Sequence, residues 1–217
     1  MLRSYFEFNN RNSLEFEELI VTKKTIGTPE VKTSTVDVPY SSKVIDYSFI
    51  NGVNFGRRPV EIEISFSDKT KEDMYRLYSE ICRWLCRPYY SKLKIYGVEG
   101  YFNAKVSGIS SLEEIFILGK LIVSFECDPW LYENEEMVIY TVLNKDGVVS
   151  IENLYMPTAP VFISSNVCNI QFEGKSYQLR KGENQNFDIT FKEGFNEIRL
   201  ISEGPINLEI KFQRGGL

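Results

Sequence analysis

Val60-Glu61-Ile62-Glu63-Ile64-Ser65-Phe66 decides the reading of this chain, because apolar residues hold every second position and polar residues the positions between. Successive side chains of an extended strand point to opposite faces, so this period of two puts one face in a core and the other in water. The segment reads as a half-buried β-strand. Alternation recurs in Ser4 to Phe8, Leu93 to Tyr96, Tyr101 to Val106 and Lys120 to Cys127, each set off by turn residues or a loop. Short connections between such strands imply antiparallel pairing. The composition points the same way, since 15 Phe and 13 Tyr against 4 Met suit pleated surfaces, on which flat rings pack.

One segment departs from the pattern. Between Thr70 and Cys86, residues Met74, Leu77, Tyr78, Ile81, Trp84 and Leu85 recur at helical spacing, which predicts a single helix over 70–86. Thr70 serves as its N-cap with Asp73 three positions on. Arg87-Pro88 ends it, because proline disfavours helical geometry in the residue before it. Trp84 is expected between this helix and the sheet. Beyond Asp128-Pro129-Trp130 the strands become shorter and Asn, Asp and Gly more frequent. A boundary is therefore expected, with an N-terminal domain over 1–130 and a C-terminal β-sandwich domain over 131–217. Asn144-Lys145-Asp146-Gly147 and Phe172-Glu173-Gly174-Lys175 read as hairpin turns. The fold class is mainly β: an N-terminal antiparallel β-sandwich or barrel-like domain with one packed α-helix, then a small C-terminal β-sandwich. No internal repeat is visible, which argues against a solenoid or propeller.

With Lys+Arg 25 against Asp+Glu 30, the net charge of −5 offers no cationic field to hold a phosphate backbone. Glu7 interrupts the opening Met1 to Phe6 before it could act as a secretory apolar region, so a cytoplasmic start is expected. The most apolar run, Ile115 to Val123, is broken by Gly119-Lys120 and is far shorter than the ~20 residues of a membrane helix.

Histidine is absent, which removes the commonest general base and the commonest metal ligand together. Cys82 and Cys86 stand one helical turn apart, half of a possible zinc site whose other half is missing; with Cys127 and Cys168 they read as small buried thiols. Glu61/Glu63 and Glu15/Glu17 could serve a two-carboxylate hydrolase. Their alternate positions are apolar, however, so they read as the wet side of amphipathic strands. Glu113/Glu114 and Glu135/Glu136 read as solvated surface. Gly97-Val98-Glu99-Gly100 lacks a following Lys-Ser/Thr and reads as a hairpin turn, and Asp146-Gly147 lacks the spaced carboxylates of a calcium loop. No catalytic, metal or cofactor residues are assigned, and no enzyme is expected. The other class of function is a monomeric carbohydrate-binding β-sandwich module, for which Tyr155, Tyr177 and Phe187 are the stacking candidates.

Several segments, taken in order, resemble the distal tail protein (Dit) family of long-tailed phages. Phe6-Glu7-Phe8-Asn9 resembles its opening strand. Val36-Asp37-Val38-Pro39 with Ile45-Asp46 resembles its Val-Pro-Gly and Leu-Asp element, with Tyr40 where the family has glycine. Arg57-Arg58-Pro59-Val60-Glu61-Ile62 resembles its arginine-led strand, Ile81-Cys82-Arg83-Trp84-Leu85 its helix, and Cys127-Asp128-Pro129-Trp130 its domain-closing step. Pro160-Val161-Phe162-Ile163, Gly194-Phe195-Asn196-Glu197-Ile198 and Phe212-Gln213-Arg214-Gly215-Gly216-Leu217 resemble its sandwich and tail. The resemblance implies a hexameric ring at the virion tail tip, with N-terminal domains walling a channel through which DNA passes without specific binding. The outer domain is implied to be a galectin-like sandwich. The implied partners are a tail tube protein, a tail-tip hub or tail-associated protein, and receptor-binding or baseplate proteins, with no membrane.

Lys23 to Pro59 is the longest stretch without strong amphipathic patterning, and a long connection of this kind is usually functional. The resemblance places it where ring subunits meet, which predicts an inter-subunit arm. Its interface residues are Asp37, Pro39, Tyr40, Asp46, Tyr47, Arg57 and Arg58. Charges would pair across the boundary, and Tyr40, Tyr47 and Phe49 would supply flat apolar area.

Overall fold

The computed structural model describes residues 3–48, 54–185 and 188–217, which form two compact units dividing after Leu131, with Leu217 counted in the first. The protein is mainly β, with 54% strand and 9% helix.

The first unit contains β1 (Phe6–Phe8), β2 (Arg11–Asn12), β3 (Leu19–Ile26), β4 (Val31–Lys32), β5 (Thr35–Asp37), β6 (Val44–Asp46), β7 (Asn54–Phe55) and β8 (Arg58–Ser67). Helix α1 (Lys71–Leu85) follows, then β9 (Ser91–Ile95), β10 (Phe102–Ile109), β11 (Glu113–Ile115) and β12 (Leu118–Cys127). The main sheet runs β2-β1-β9-β10-β12-β8-β3, with β11 added to β12, and its pairings are antiparallel. The quoted stretch is the heart of β8. Val60, Ile62, Ile64 and Phe66 are buried, and they lie in register with Phe125, Val123, Leu121 and Gly119 of β12. Facing residues of an antiparallel pair share a sheet face, so these two strands build one apolar surface.

Helix α1 covers that surface. Met74, Leu77, Ile81, Trp84 and Leu85 are buried, and the Thr70 hydroxyl accepts the Asp73 backbone N–H at 3.1 Å, capping the start. Trp84 lies against the sheet: its ring stacks on Phe6 at 5.2 Å and approaches Phe16 at 5.4 Å, and its indole N–H donates to the Phe8 carbonyl at 2.8 Å. Gly97 (φ +84°) and Gly100 (φ +116°) turn the chain between the paired β9 and β10.

Two sequence expectations require correction. Lys23 to Ile26 is not part of a loose connection, because it continues β3 along β8 past a register shift between Val21 and Lys23. Alternation was hidden there because β3 is an edge strand and its Thr22-Lys23-Lys24-Thr25 run is largely exposed. Asn144 to Gly147 is likewise not a hairpin turn; it joins strands belonging to two different sheets.

Those sheets form the second unit. Its strands are β13 (Leu131–Tyr132, beginning at the boundary), β14 (Met137–Leu143), β15 (Gly147–Asn153), β16 (Val161–Ser164), β17 (Cys168–Phe172), β18 (Lys175–Leu179), β19 (Gly182–Gln185), β20 (Gly194–Ile201), β21 (Ile206–Phe212) and β22 (Gly215–Gly216). One four-stranded sheet runs β14-β21-β16-β19 and the other β15-β20-β17-β18. Their core holds Phe162, Ile170, Phe191, Ile198, Leu200, Leu208, Ile210 and Phe212, which makes this unit a β-sandwich. Glu173 (φ +45°) and Gly174 (φ +79°) close the two-residue turn between β17 and β18, where positive φ suits the twist of the strands.

Candidate assembly surface

Of the carboxylates that could have served hydrolysis, Glu63 and Glu15 are engaged in surface pairs, and Glu61 and Glu17 are exposed. Glu63 accepts the Thr22 hydroxyl at 2.8 Å and pairs with Lys120 at 3.3 Å, which holds its pKa below the usual range, while Glu61 is exposed beside it. Glu15 accepts the Asn12 backbone N–H and pairs with Arg11 at 2.8 Å. Glu114 pairs with Lys71 and accepts the Tyr75 hydroxyl, which keeps its pKa low, tying β11 to the start of α1. Among the described residues no three His, Cys, Asp or Glu side chains group to hold a metal ion. All four cysteines are free. Cys127 and Cys168 are buried, Cys82 is half-buried and Cys86, read from the sequence as buried, is exposed because it caps the solvent end of α1. Burial pushes the Cys127 thiol up to about 12.

Two of the three stacking candidates lie among the described residues, and they are placed differently. Tyr155 is exposed, Tyr177 packs against the sandwich core with its hydroxyl buried, and Phe187 lies outside the described residues.

The segment between β3 and β8 is built as a projecting ribbon. At its base the Gly27 N–H donates to the Pro59 carbonyl at 2.9 Å, and a Cβ on Gly27 would sit 2.7 Å from the Pro59 ring, so only glycine fits there. The pair β4–β7 follows, with the Gly56 N–H donating to the Glu30 carbonyl at 2.6 Å, and then the pair β5–β6. Thr35 faces Asp46, Val36 faces Ile45 and Asp37 faces Val44, and every one of these six side chains is exposed. Pro39 and Tyr40 form the tip. Tyr40 is wholly exposed at φ +60°, a conformation that a bulky residue adopts only at a cost. Tyr47 is exposed beside the ribbon, and Phe49 lies outside the described residues.

Two predicted interface residues are placed differently. Arg57 pairs within its own chain, with Asp128 at 3.0 Å and Glu126 at 3.2 Å, and its guanidinium lies 4.8 Å from the centre of the Tyr90 ring. Arg58 is 6% exposed, its guanidinium 5.4 Å from the centre of the Phe102 ring, and burial lowers its pKa. The alternation of β8 explains this: Arg58 has the inward parity of Val60, so its charge is unavailable to a neighbour.

The family described as phage tail protein N-terminal domain matches residues 1–129, more than half of the chain. The chain belongs to this phage tail family. Over its whole length this phage tail protein is similar to the Dit protein of phage SPP1, described as a paradigm of the hub adsorption apparatus in phages infecting Gram-positive hosts. Identity is 12%, each chain is covered to 99%, and the TM-score is 0.72. It is also similar to a chain of the phage P2 baseplate in its activated, calcium-bound conformation, at 8% identity, 100% and 99% coverage and a TM-score of 0.50. At these identities the likeness is one of fold. No curated protein matches the chain.

Two surface features escaped the sequence reading. Ile115 to Leu118 forms the β11–β12 hairpin tip, where Phe116 is 88% exposed at φ +56°. Arg11, Arg76, Arg83 and Arg87 converge on one groove. The usable signal for the second was three arginines on the polar stripe of α1 and its end, with no lysine among them.

Proposed function

We propose that this phage tail protein is a non-enzymatic hub of the tail tip, six copies of which close into a ring joining the tail tube to the receptor-binding or baseplate apparatus. The observation that carries the reading is the fold shared with the SPP1 distal tail protein across both units. In this reading the first unit is the ring-forming domain, and Asp37, Pro39, Tyr40, Asp46 and Tyr47 are its subunit-interface residues. A ribbon that exposes Val31, Val36, Val44, Ile45 and two tyrosines is costly in an isolated chain and suits burial against a neighbour. Cyclic rings use one heterologous contact repeated around the axis, so a projecting arm and a separate acceptor surface are the parts required. The sandwich, galectin-like in this reading, faces outward as a platform for tail-tip hub, tail-associated, receptor-binding or baseplate proteins, and DNA passes the channel unbound.

Mass photometry of the purified chain, alone and with the tail tube protein, tests this. Six 25.2 kDa chains give a species of about 151 kDa. A chain that stays monomeric in both conditions overturns the reading.

A further inference from the structure

The arm needs an acceptor, and the structure holds a surface with matching chemistry. A groove of about 430 Å³ lies between α1 and the β1–β2 turn, lined by Asn9, Arg11, Arg76, Arg83, Trp84 and Arg87 with Ser79 and Glu80. Four of the chain's ten arginines therefore meet at one place, and no lysine joins them. Arg11 is fixed: it pairs with Glu15 at 2.8 Å and Glu80 at 2.9 Å and lies 4.2 Å from the centre of the Phe16 ring. Arg76 pairs with Asp73 at 3.2 Å. Arg83 and Arg87 are exposed, and neither forms an ion pair or side-chain hydrogen bond among the described residues. A helix dipole favours cations at its C-terminus, which suits Arg83 and Arg87 but does not account for Arg11 and Arg76 converging on the same groove.

The hairpin β5–β6 carries the complement. Thr35 faces Asp46 and Asp37 faces Val44, so both aspartates lie on one face of the ribbon. As diagonal neighbours their Cα atoms stand about 7–8 Å apart. Lys43, whose carbonyl accepts the Val38 N–H beyond the Asp37–Val44 pair, falls one residue out of step and belongs with the other face. The Asp37 carboxylate has no hydrogen-bond or ion-pair partner among the described residues. Asp46 accepts the Ser48 N–H at 2.8 Å, which orients its carboxylate while leaving lone pairs for a second donor. Two carboxylates on one face thus stand against two unpaired guanidinium groups in one groove, and forked Arg–carboxylate pairing is the geometry that arginine rather than lysine provides.

We propose that the acidic face of the β5–β6 hairpin of one copy docks in the arginine groove of the next, with Asp37 and Asp46 meeting Arg83 and Arg87 and Tyr40 lying over the groove. This rests on the ring reading and gives that ring its acceptor surface. Hairpin and groove belong to different ends of the strand order: the ribbon joins β3 to β8, whereas the groove lies at β1–β2. A contact of this kind is heterologous and repeats around a ring.

Charge reversal tests the pairing. Arg83→Glu/Arg87→Glu and Asp37→Lys/Asp46→Lys should each raise the concentration of half-assembly at least ~10-fold by mass photometry, and combining all four changes in one chain should recover assembly. Thermal melting of each variant confirms that the fold is kept. Assembly of the Arg83→Glu/Arg87→Glu chain at wild-type concentrations overturns the inference and leaves the ring reading standing. Failure of the combined variant to recover also overturns it. A wild-type chain that never assembles, alone or with the tube protein, removes the ring reading and this inference with it.

Discussion

Trp84→Ala tests whether α1 is held to the sheet as the packing indicates. Trp84 is 4% exposed, stacks on Phe6, borders Phe16 and donates its indole N–H to the Phe8 carbonyl at 2.8 Å. Truncating a buried tryptophan to alanine costs about 3–5 kcal/mol, and leaving the Phe8 carbonyl without its donor adds ~1 kcal/mol. For a unit of about 130 residues, each kcal/mol lowers Tm by about 4 °C, so a fall on the order of 20 °C is expected. The chain has 2 Trp, and both Trp84 and Trp130 lie in the first unit, so the fluorescence remaining in the variant still reports that unit. Calorimetry alongside should show the sandwich transition unmoved, since Trp84 belongs to the other core. Trp84→Phe keeps a ring on Phe6 but loses the hydrogen bond and some volume, and should cost about 1–2 kcal/mol. A Trp84→Ala chain that melts with the parent would show that the helix does not pack through this residue.

Trypsin should nick the monomer at Lys32 and Lys43, exposed on the ribbon, and spare those sites in the assembled ring; equal protection in both states would mean that the ribbon is not an inter-subunit arm. Lys24 should resist in both states, because its ammonium donates to the Tyr96 carbonyl at 2.7 Å from within β3. Under native conditions iodoacetamide should label exposed Cys86 first and leave Cys127, with its thiol near 12, until the chain unfolds; equal labelling rates would contradict the burial. The Glu114 clamp lowers a carboxylate pKa, so its contribution is present above the ordinary value of 4.5 and is lost as pH falls through the folded value. The melting difference between wild type and Glu114→Gln should therefore exist at neutral pH and vanish well below the carboxylate range. In the proposed ring six copies at −5 would carry about −30, so its channel wall is expected to be neutral or acidic, and a basic lumen would refute this.

The mainly β class, the single helix and its buried face were legible in the residues because each rests on a local rule. Alternation in Val60 to Phe66 reports a sheet with one wet face, and Met74, Leu77, Ile81 and Trp84 report a helix with one dry face, whichever elements lie opposite. Edge strand β3 was hidden because no side chain from Thr22 to Ile26 is buried on either face, which erases the periodic signal. Arg58 was misplaced for a related reason: a charged residue reads as surface until strand parity and the Phe102 ring, two strands away in the sheet, are known. The sequence alone determined that the chain has no histidine chemistry, an acidic balance and alternating strands that must bury one face. Only the tertiary structure decided which charges are already paired. Arg57 meets Asp128 across 71 residues and Arg11 meets Glu80 across 69, while Asp37, Arg83 and Arg87 have no ion-pair partner among the described residues. Ion pairing depends on distances of a few ångströms between side chains that the fold brings together, and nothing in the order of residues encodes those distances locally.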